Sequence, residues 1–140
     1  MTALIVTTRD IATCLSLRRA VFTDEQGIAE ADDVDGLDEG AVHLLALLDG
    51  RPVGTARLLV AGEVGKVGRV CVLLDQRGNG LGAGLVRAAV AECRAMPGVK
   101  KVKLGAQTTA LGFYARLGFA AIGPEFDDVG IAHQEMVLVL

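Results

Sequence analysis

Aromatic side chains are scarce in this sequence, which has no tryptophan, one tyrosine and four phenylalanines among its 140 residues. A hydrophobic core must therefore be built from valine, leucine, alanine and isoleucine, and hydrophobic residues make up 51% of the chain. This length and composition predict a single globular domain over residues 1–140 with one core. Because Tyr114 is the only tyrosine, any chemical role that needs a phenol falls to it.

Cysteine and histidine are also few. The three cysteines, Cys14, Cys71 and Cys93, are far apart and form no C-x-x-C pair. The pattern predicts reduced thiols and offers no metal site, and the two separated histidines add none. Cys71 has no base paired with it in the sequence pattern, so we interpret it as a small buried hydrophobe rather than a nucleophile.

Long apolar runs and excess positive charge are absent as well. No apolar stretch approaches the ~18 residues of a membrane span, and the N-terminus lacks the regions of a signal peptide. A net charge of −3 and a pI near 5.3 argue against a nucleic-acid surface, and the short basic cluster at residues 100–103 is typical of a solvated strand. We expect a cytoplasmic protein that binds neither membranes nor nucleic acids.

One glycine-rich segment, RGNGLG at residues 77–82, lies between an apolar strand pattern and a helical pattern. Its three alternate glycines permit positive φ angles and close approach of the backbone to a ligand. The following helix adds unpaired N–H groups and the positive end of its dipole. The segment therefore predicts a phosphate or pyrophosphate site, with Arg77 supplying a positive charge at its entrance.

Two familiar phosphate-binding motifs fit this segment poorly. There is no GK(S/T) sequence, which excludes a P-loop. Residues 78–83 satisfy the loose dinucleotide pattern G-x-G-x-x-G/A, but the next strand ends in Gln107 where that pattern expects an acid. A nucleotide-dependent oxidoreductase is therefore disfavoured, although a titration with NADH would test it directly.

The segment instead resembles the acetyl-CoA loop of the Gcn5-related N-acetyltransferases (GNAT), whose signature is Q/R-x-x-G-x-G/A. About 30 residues downstream, ALGFYARLGF at residues 110–119 resembles that family's FYxxLGF helix, with Tyr114 in the tyrosine position. The N-terminal half, with AVFTDEQGI and RPVGTARLLV, is similar to the small single-domain bacterial branch that includes ElaA- and YjcF-type proteins. The chain is identified on these grounds as a GNAT member.

Periodicity and turn signals predict the element order β-α-β-β-β-α-β-α-β-β, which matches the family's α/β (α+β) fold. The resemblance implies a mixed, mostly antiparallel sheet of about six to seven strands flanked by helices, whose fourth and fifth strands diverge. A hairpin is predicted at Asp49-Gly50, and an acidic turn at residues 124–130 is predicted to join the last two strands. Thr108 or Thr109 is predicted to cap the last helix, and Gly118 to end it. The predicted strands cover residues 3–8, 41–50, 51–60, 66–74, 99–107, 119–123 and 133–140; the predicted helices begin near residues 10, 80 and 111.

The resemblance implies acetyl-CoA as the cofactor and assigns backbone groups to it. Tyr114 would contact coenzyme A and donate a proton to its departing thiolate as general acid. The family's usual asparagine after the fifth strand is replaced by Gln107 and Thr108, and which of them takes over its pantetheine contact stays open. The backbone groups implied for pantetheine are those of Val70, Cys71 and Val72; the amides implied for the pyrophosphate are those of Arg77, Gly78, Gly80, Leu81, Gly82 and Ala83.

An acceptor amine must lose a proton before it attacks a thioester, so the site needs a base. His133 is the leading candidate, because the pKa of histidine lies near working pH and members of this branch often carry a histidine there. A backbone N–H near Cys71 or Val72 could stabilise the oxyanion. The weaker candidates for the base are Glu25, Asp35, Asp38 and His43.

Two arginines interrupt apolar patterns. Arg18 falls within the apolar stripe of the first helix, and Arg69 lies between apolar residues of the fourth strand. Such a charge needs water at the edge of the stripe, a charged partner or an anionic substrate. If both converged with His133 they would suit a small acceptor with a carboxylate or phosphate beside its amine. The acid-rich loop at residues 27–40 would line an entrance and could instead attract a cationic substrate.

These patterns predict an acetyl-CoA-dependent N-acetyltransferase acting on a small-molecule amine. The same fold could alternatively act on a protein or peptide amine, or bind acyl-CoA without turnover. The apolar C-terminal segment MVLVL, residues 136–140, also makes a homodimer plausible through edge-to-edge strand pairing.

Overall fold

The computed structural model describes residues 2–140, and its strands form one seven-stranded sheet in the order β1-β2-β3-β4-β5-β7-β6. Neighbouring strands are antiparallel except for the parallel pair β4 and β5. This arrangement confirms the predicted fold. The strands are β1 Ala3–Thr8, β2 Val42–Leu48, β3 Arg51–Ala61, β4 Val64–Val72, β5 Lys101–Gln107, β6 Ala120–Asp128 and β7 Ile131–Val139.

Four α-helices flank the sheet among the described residues. The first begins as predicted, because the N–H of Thr13 donates to Oδ1 of Asp10 at 3.1 Å and caps its N-terminus. Its continuation, Arg19–Glu25, is π-helical rather than α-helical. The helices are α1 Ile11–Arg18, α2 Glu30–Asp33, α3 Leu81–Ala95 and α4 Leu111–Arg116.

The core is aliphatic, as the shortage of aromatic residues requires. One face of α3 packs on the sheet and buries Leu85, Val86, Ala89 and Cys93 completely. The contact is so close that a Cβ at Gly65 of β4 would collide with the sulfur of Cys93. Helix α3 is therefore fixed against β4, so the turn leading into the helix has a defined position beside that strand. No helix among residues 2–140 is long and apolar enough to cross a bilayer.

Two predicted turns have different outcomes. At Asp49-Gly50 both φ angles are positive, 50° and 81°, which confirms the predicted hairpin. The acidic turn predicted at residues 124–130 is wrong, because β6 runs on to Asp128 and only Val129 and Gly130 form the turn. Most of the predicted acidic turn is therefore strand.

The predicted edge pairing through residues 136–140 is also wrong. That segment lies in or directly after β7, which is an interior strand between β5 and β6. The sheet edges are β1 and β6, and β6 carries an irregularity between Ile122 and Phe126 that includes Pro124. Because proline and bulges disfavour edge pairing, this edge is a poor surface for adding a second sheet.

The predicted threonine cap of α4 is wrong. Residues Thr108–Ala110 form a 3₁₀ turn, and Ala110 occupies the N-cap position without a side-chain hydrogen bond. Gly118, with a φ of 99°, follows the end of this helix as predicted. The short helix and its turn lie at the C-terminal end of β5, which places Tyr114 near the gap between β4 and β5.

The gap between β4 and β5 is the feature that positions the site. These strands pair only from Val64↔Lys101 to Lys66↔Lys103. Beyond that point β4 continues beside β3, and β5 continues beside β7 as far as Gln107↔His133. The predicted divergence of the fourth and fifth strands is thus confirmed.

Candidate active site

A cleft of about 450 Å³ opens where β4 and β5 separate. Its walls come from both strands, from the acid-rich loop at residues 27–40, from α4 and from the β6–β7 hairpin. Unpaired backbone groups at a sheet opening can accept an extended ligand as though it were another strand. The cleft therefore joins such a backbone surface to a chamber lined by side chains.

A β-bulge in β4 sets the backbone groups at the gap. Arg57 faces Gly68 while Thr55 faces Cys71, so β4 carries one extra residue, and Arg69 has a φ of 53°. The N–H of Leu73 donates to the carbonyl O of Val53 at 2.9 Å. Because backbone direction alternates along a strand, Cys71 then faces β3 and Val72 faces the gap, while Val70 lies in the bulge and has no partner in β3. Of the three residues predicted to meet pantetheine, Cys71 therefore turns its backbone groups away.

The glycine-rich turn presents free backbone amides at the N-terminal end of α3. Gly78 and Gly80 have φ angles of 87° and 77°, and Gly80 is the N-cap. The first intrahelical bond joins the N–H of Gly84 to the carbonyl O of Gly80 at 3.0 Å. The amides of residues 81–83 precede that bond and have no acceptor within the helix. A Cβ on Gly78 or Gly80 would meet nothing within 4 Å, so the turn is open.

The side chain of Arg77 does not carry a free charge to this turn. Its Nε donates to the carbonyl O of Val72 at 2.9 Å, and its two terminal nitrogens donate to the carboxylate of Glu25 at 2.7 and 2.5 Å. The hydrogen bond from Arg77 also lowers the pKa of Glu25. The prediction of a positive charge at the entrance is corrected, because Glu25 neutralises the Arg77 side chain and only the backbone amide of Arg77 remains available to a ligand. Since its carboxylate binds Arg77, Glu25 is not available as the base.

Tyr114 lies in the cleft wall on α4, with edge-to-face contacts to Phe113 and Phe119 at centroid distances of 4.9 and 6.2 Å. Burial raises the pKa of its phenol to about 12. The hydroxyl therefore keeps its proton at physiological pH and can donate it.

His133 lies in the same cleft, on β7 opposite Gln107. Its Nδ1 is 2.8 Å from the carbonyl O of Ile131, so Nδ1 must carry the hydrogen. The other ring nitrogen, Nε2, is left as a proton acceptor in the neutral ring. The ring stacks on Phe126 at a centroid distance of 5.8 Å. The fold thus brings the predicted acid and base to one cleft.

Arg18 does not line the cleft. It is 1% exposed and lies beneath the acid-rich loop, where it donates to Oδ1 of Asp38 and to Nδ1 of His43, both at 2.9 Å. His43 in turn donates from Nε2 to the carbonyl O of Asp38 at 2.8 Å. The predicted substrate-binding role of Arg18 is corrected: its charge has an internal partner and fastens the loop to the sheet.

Arg57 and Arg69 continue this network. Arg57 donates to both carboxylate oxygens of Asp35 at 2.8 Å and to Asp38 at 3.2 Å. Arg69 lies in the cleft wall, but its guanidinium contacts the carbonyl O of Asp33 at 3.0 Å and that residue's carboxylate at 3.2 Å. The charged partner inferred for Arg69 is therefore an aspartate of the loop.

The network shifts the pKa values of its acids. The hydrogen bonds from Arg57 hold the pKa of Asp35 well below its ordinary value. Burial acts to raise the pKa of Asp38, but Arg18 and Arg57 outweigh it and lower the value. Burial raises the pKa of Asp33 despite the opposing charge of Arg69. Asp35 and Asp38 thus form ion pairs with arginines and are not available as the base. His43 is 2% exposed and cannot reach an acceptor amine in the cleft.

Replacing Asp38 with asparagine should lower the free energy of unfolding by about 3–5 kcal/mol, because two buried guanidiniums would lose their shared carboxylate. The pKa of Asp38 is lower in the folded chain. Its contribution is therefore complete above pH ~4 and is lost as the pH falls through the folded pKa. Urea unfolding at pH 7 and at lower pH would measure the loss. Glu39→Gln, an exposed change in the same turn, is the control, and equal losses would contradict the role of Asp38.

Sequence patterns missed Arg57 and Asp33. Arg57 interrupts the apolar strand RPVGTARLLV, which is the same signal that singled out Arg69, so it could have been found. Asp33 carries no such signal, because it is one acid among several in the loop and only folding places it against Arg69.

Comparison with known proteins decides the family, since residues 22–140 match the acetyltransferase (GNAT) domain. The chain belongs to the GNAT family. It is therefore an acyltransferase enzyme with GNAT acetyltransferase activity. The N-acetyltransferase YjcF of Bacillus subtilis, itself uncharacterized, is 33% identical over 122 residues, covering 86% of each chain.

Solved structures agree with this GNAT assignment. The crystal structure of Escherichia coli ElaA superposes with a TM-score of 0.83 at 28% identity and covers 98% of each chain. An acyl-CoA N-acyltransferase from Pseudomonas aeruginosa superposes with a TM-score of 0.82 at 29% identity, again over 98% of each chain. These likenesses confirm the predicted place of the chain in the small bacterial branch of the GNAT family.

Proposed function

We propose that this enzyme transfers the acetyl group of acetyl-CoA directly to the primary amine of a small molecule. The observation that carries the proposal is that Tyr114 and His133 line one cleft at the β4–β5 gap. The first turn of α3 lies close to it, because a Cβ at Gly82 would be 3.5 Å from the ring of Phe113, the neighbour of Tyr114. A cleft of about 450 Å³ has room for a small acceptor. That volume favours a small molecule over a folded protein surface.

The residues present fit acetyl-CoA. The open turn at Gly78 and Gly80 and the three amides before the first α3 hydrogen bond form a cradle for a pyrophosphate. Along β4, the backbone groups of Val70 and the N–H of Val72 would pair with pantetheine, since the carbonyl O of Val72 already accepts from Arg77. Bound there, acetyl-CoA supplies an activated acyl group. The amides proposed to hold the pyrophosphate remain those of Arg77, Gly78, Gly80, Leu81, Gly82 and Ala83.

The side chains of the cleft would move two protons. Nε2 of His133 would accept a proton from the ammonium group of the acceptor, directly or through one water, so that the amine nitrogen has a free pair. The new bond joins that nitrogen to the acetyl carbon, and the bond from that carbon to sulfur breaks. Tyr114 would give its proton to the departing sulfur and recover one from the attacking nitrogen, which loses its second proton as the amide forms. A gap-facing N–H of Val70 or Val72 would stabilise the negative charge on the acetyl oxygen.

Calorimetric titration with acetyl-CoA, followed by thiol release across a panel of amines, tests the proposal. Binding with amine-dependent thiol release is expected. Binding without release on any small amine would favour a non-catalytic acyl-CoA module or a peptide acceptor. No binding at all would refute the proposal.

Changing Gly80 to alanine should weaken acetyl-CoA binding at least about tenfold. The new residue would hold a φ of 77° at a cost of about 1–2 kcal/mol, and its Cβ would enter the space proposed for the pyrophosphate. Gly50→Ala, at a φ of 81° in the β2–β3 turn, imposes similar strain far from the cleft. Titration calorimetry should show weaker binding only for the Gly80 variant, and equal affinities would refute the cradle.

A further inference from the structure

The charged groups of the cleft determine which acceptors it can take, provided that the proposed function holds. Carboxylates outnumber cationic side chains in its walls. The cationic side chains are those of Arg57, Lys66 and Arg69. The carboxylates are those of Asp32, Asp33, Asp35, Asp128 and Glu135.

The arginines are also not free to bind an anion. Arg57 is held by both oxygens of Asp35, and Arg69 is held by the carbonyl and carboxylate oxygens of Asp33. A substrate carboxylate would have to displace one of these partners and leave an aspartate uncompensated. Of the three cationic side chains in the walls, Lys66 alone has no ion pair among residues 2–140, and it is exposed.

Solvent-exposed apolar side chains surround the mouth of the same cleft. Leu37, Phe126 and Val129 line it and are 51%, 44% and 47% exposed. They come from two separate segments, the acid-rich loop and the β6–β7 hairpin. The ring of Phe126 stacks on His133, the proposed base, which places an apolar surface beside the acceptor nitrogen.

We infer that the acceptor is an amine with an apolar body, such as an arylalkylamine or a branched alkylamine, and that a carboxylate or phosphate on it is rejected. Of the wall carboxylates, Asp33 and Asp35 are paired with the arginines and Glu135 with Lys103, which leaves Asp32 and Asp128 without an ion pair among the described residues. These two attract the ammonium group as it enters, and burying the apolar body against Phe126 stabilises the complex. This inference reverses the sequence-based expectation of an anionic acceptor. The reason is that the loop aspartates neutralise the arginines on which that expectation rested.

Thiol release with three matched amines tests the inference. Phenylethylamine is the apolar acceptor, phenylalanine adds a carboxylate, and phenylalanine amide adds a neutral group of similar size. We expect kcat/KM for the amide to exceed that for phenylalanine by at least about tenfold. In a chain carrying both Asp32→Asn and Asp128→Asn this ratio should shrink, because two wall carboxylates are removed.

A second experiment tests the apolar surface. Phe126→Ala should raise KM for phenylethylamine about tenfold and affect methylamine less, because methylamine has no apolar body to lose contact. Val139→Ala, an exposed change on β7 outside the cleft, should affect neither amine.

The outcomes separate the inference from the function on which it rests. Thiol release that is as fast with phenylalanine as with its amide would overturn the inference and leave the acetyltransferase function intact. Equal use of methylamine and phenylethylamine would do the same. Failure of every amine despite bound acetyl-CoA would end both proposals.

Discussion

Tyr114→Phe is expected to lower the rate of acetyl transfer by about 10²–10⁴-fold, the usual contribution of a positioned general acid. The phenol is the acid proposed to protonate the departing sulfur, and its pKa of about 12 keeps it protonated at physiological pH. Phenylalanine retains the ring and its edge-to-face contacts with Phe113 and Phe119. A single-turnover measurement of thiol release would report the loss without interference from product release.

The affinity of the Tyr114 variant for acetyl-CoA serves as the control, because the proposed cradle amides lie at α3 and not on α4. Calorimetric affinity and thermal stability should stay close to those of the parent chain. A rate within about threefold of the parent would remove Tyr114 from the proton transfer and leave it as a packing residue.

His133→Gln is expected to lower kcat/KM by about 10²–10⁴-fold and to change its pH dependence. A base must be unprotonated to accept a proton, so kcat/KM of the parent chain should rise with pH. Glutamine can replace the hydrogen bond to the carbonyl O of Ile131 but has no basic nitrogen. The variant should therefore lose the contribution of the base, and its profile should follow only the fraction of free amine in solution.

A substitution at the position next to His133 controls for disruption of β7. Ala132→Ser changes an exposed position beside His133 and should leave the profile unchanged. If the His133 variant kept the parent's rise in kcat/KM with pH, another group would be the base. Asp33 would then be the group to examine, because it lines the cleft and burial raises its pKa.

The glycine-rich turn and the tyrosine helix could be predicted because their signals are local. Alternate glycines permit positive φ within a few residues, and the helix that follows exposes its first amides whatever surrounds it. The structure accordingly places Gly80 at the N-cap of α3. The order of the strands along the chain could also be predicted, because hydrophobic periodicity and the turn at Asp49-Gly50 depend on neighbouring residues.

Burial patterns showed that Arg69 needed a partner, but they could not name it. Its partners lie more than thirty residues away in a loop that has no apolar period, so only the folded chain brings Asp33 and Asp35 to it. The same loop engages Arg57 and Arg18. The sequence therefore indicated charged groups near the acceptor without revealing that they neutralise one another.

The sequence by itself determined the glycine-rich turn with its free amides, the position of the tyrosine and the order of the elements along the chain, because each depends on backbone geometry or on residues close together in the chain. Tertiary structure alone decided where β4 and β5 separate, that β7 is interior and that the loop aspartates hold the arginines. These features arise from contacts between segments that are distant in sequence. Electrostatic interaction and strand pairing depend on distance in space, which local patterns do not encode.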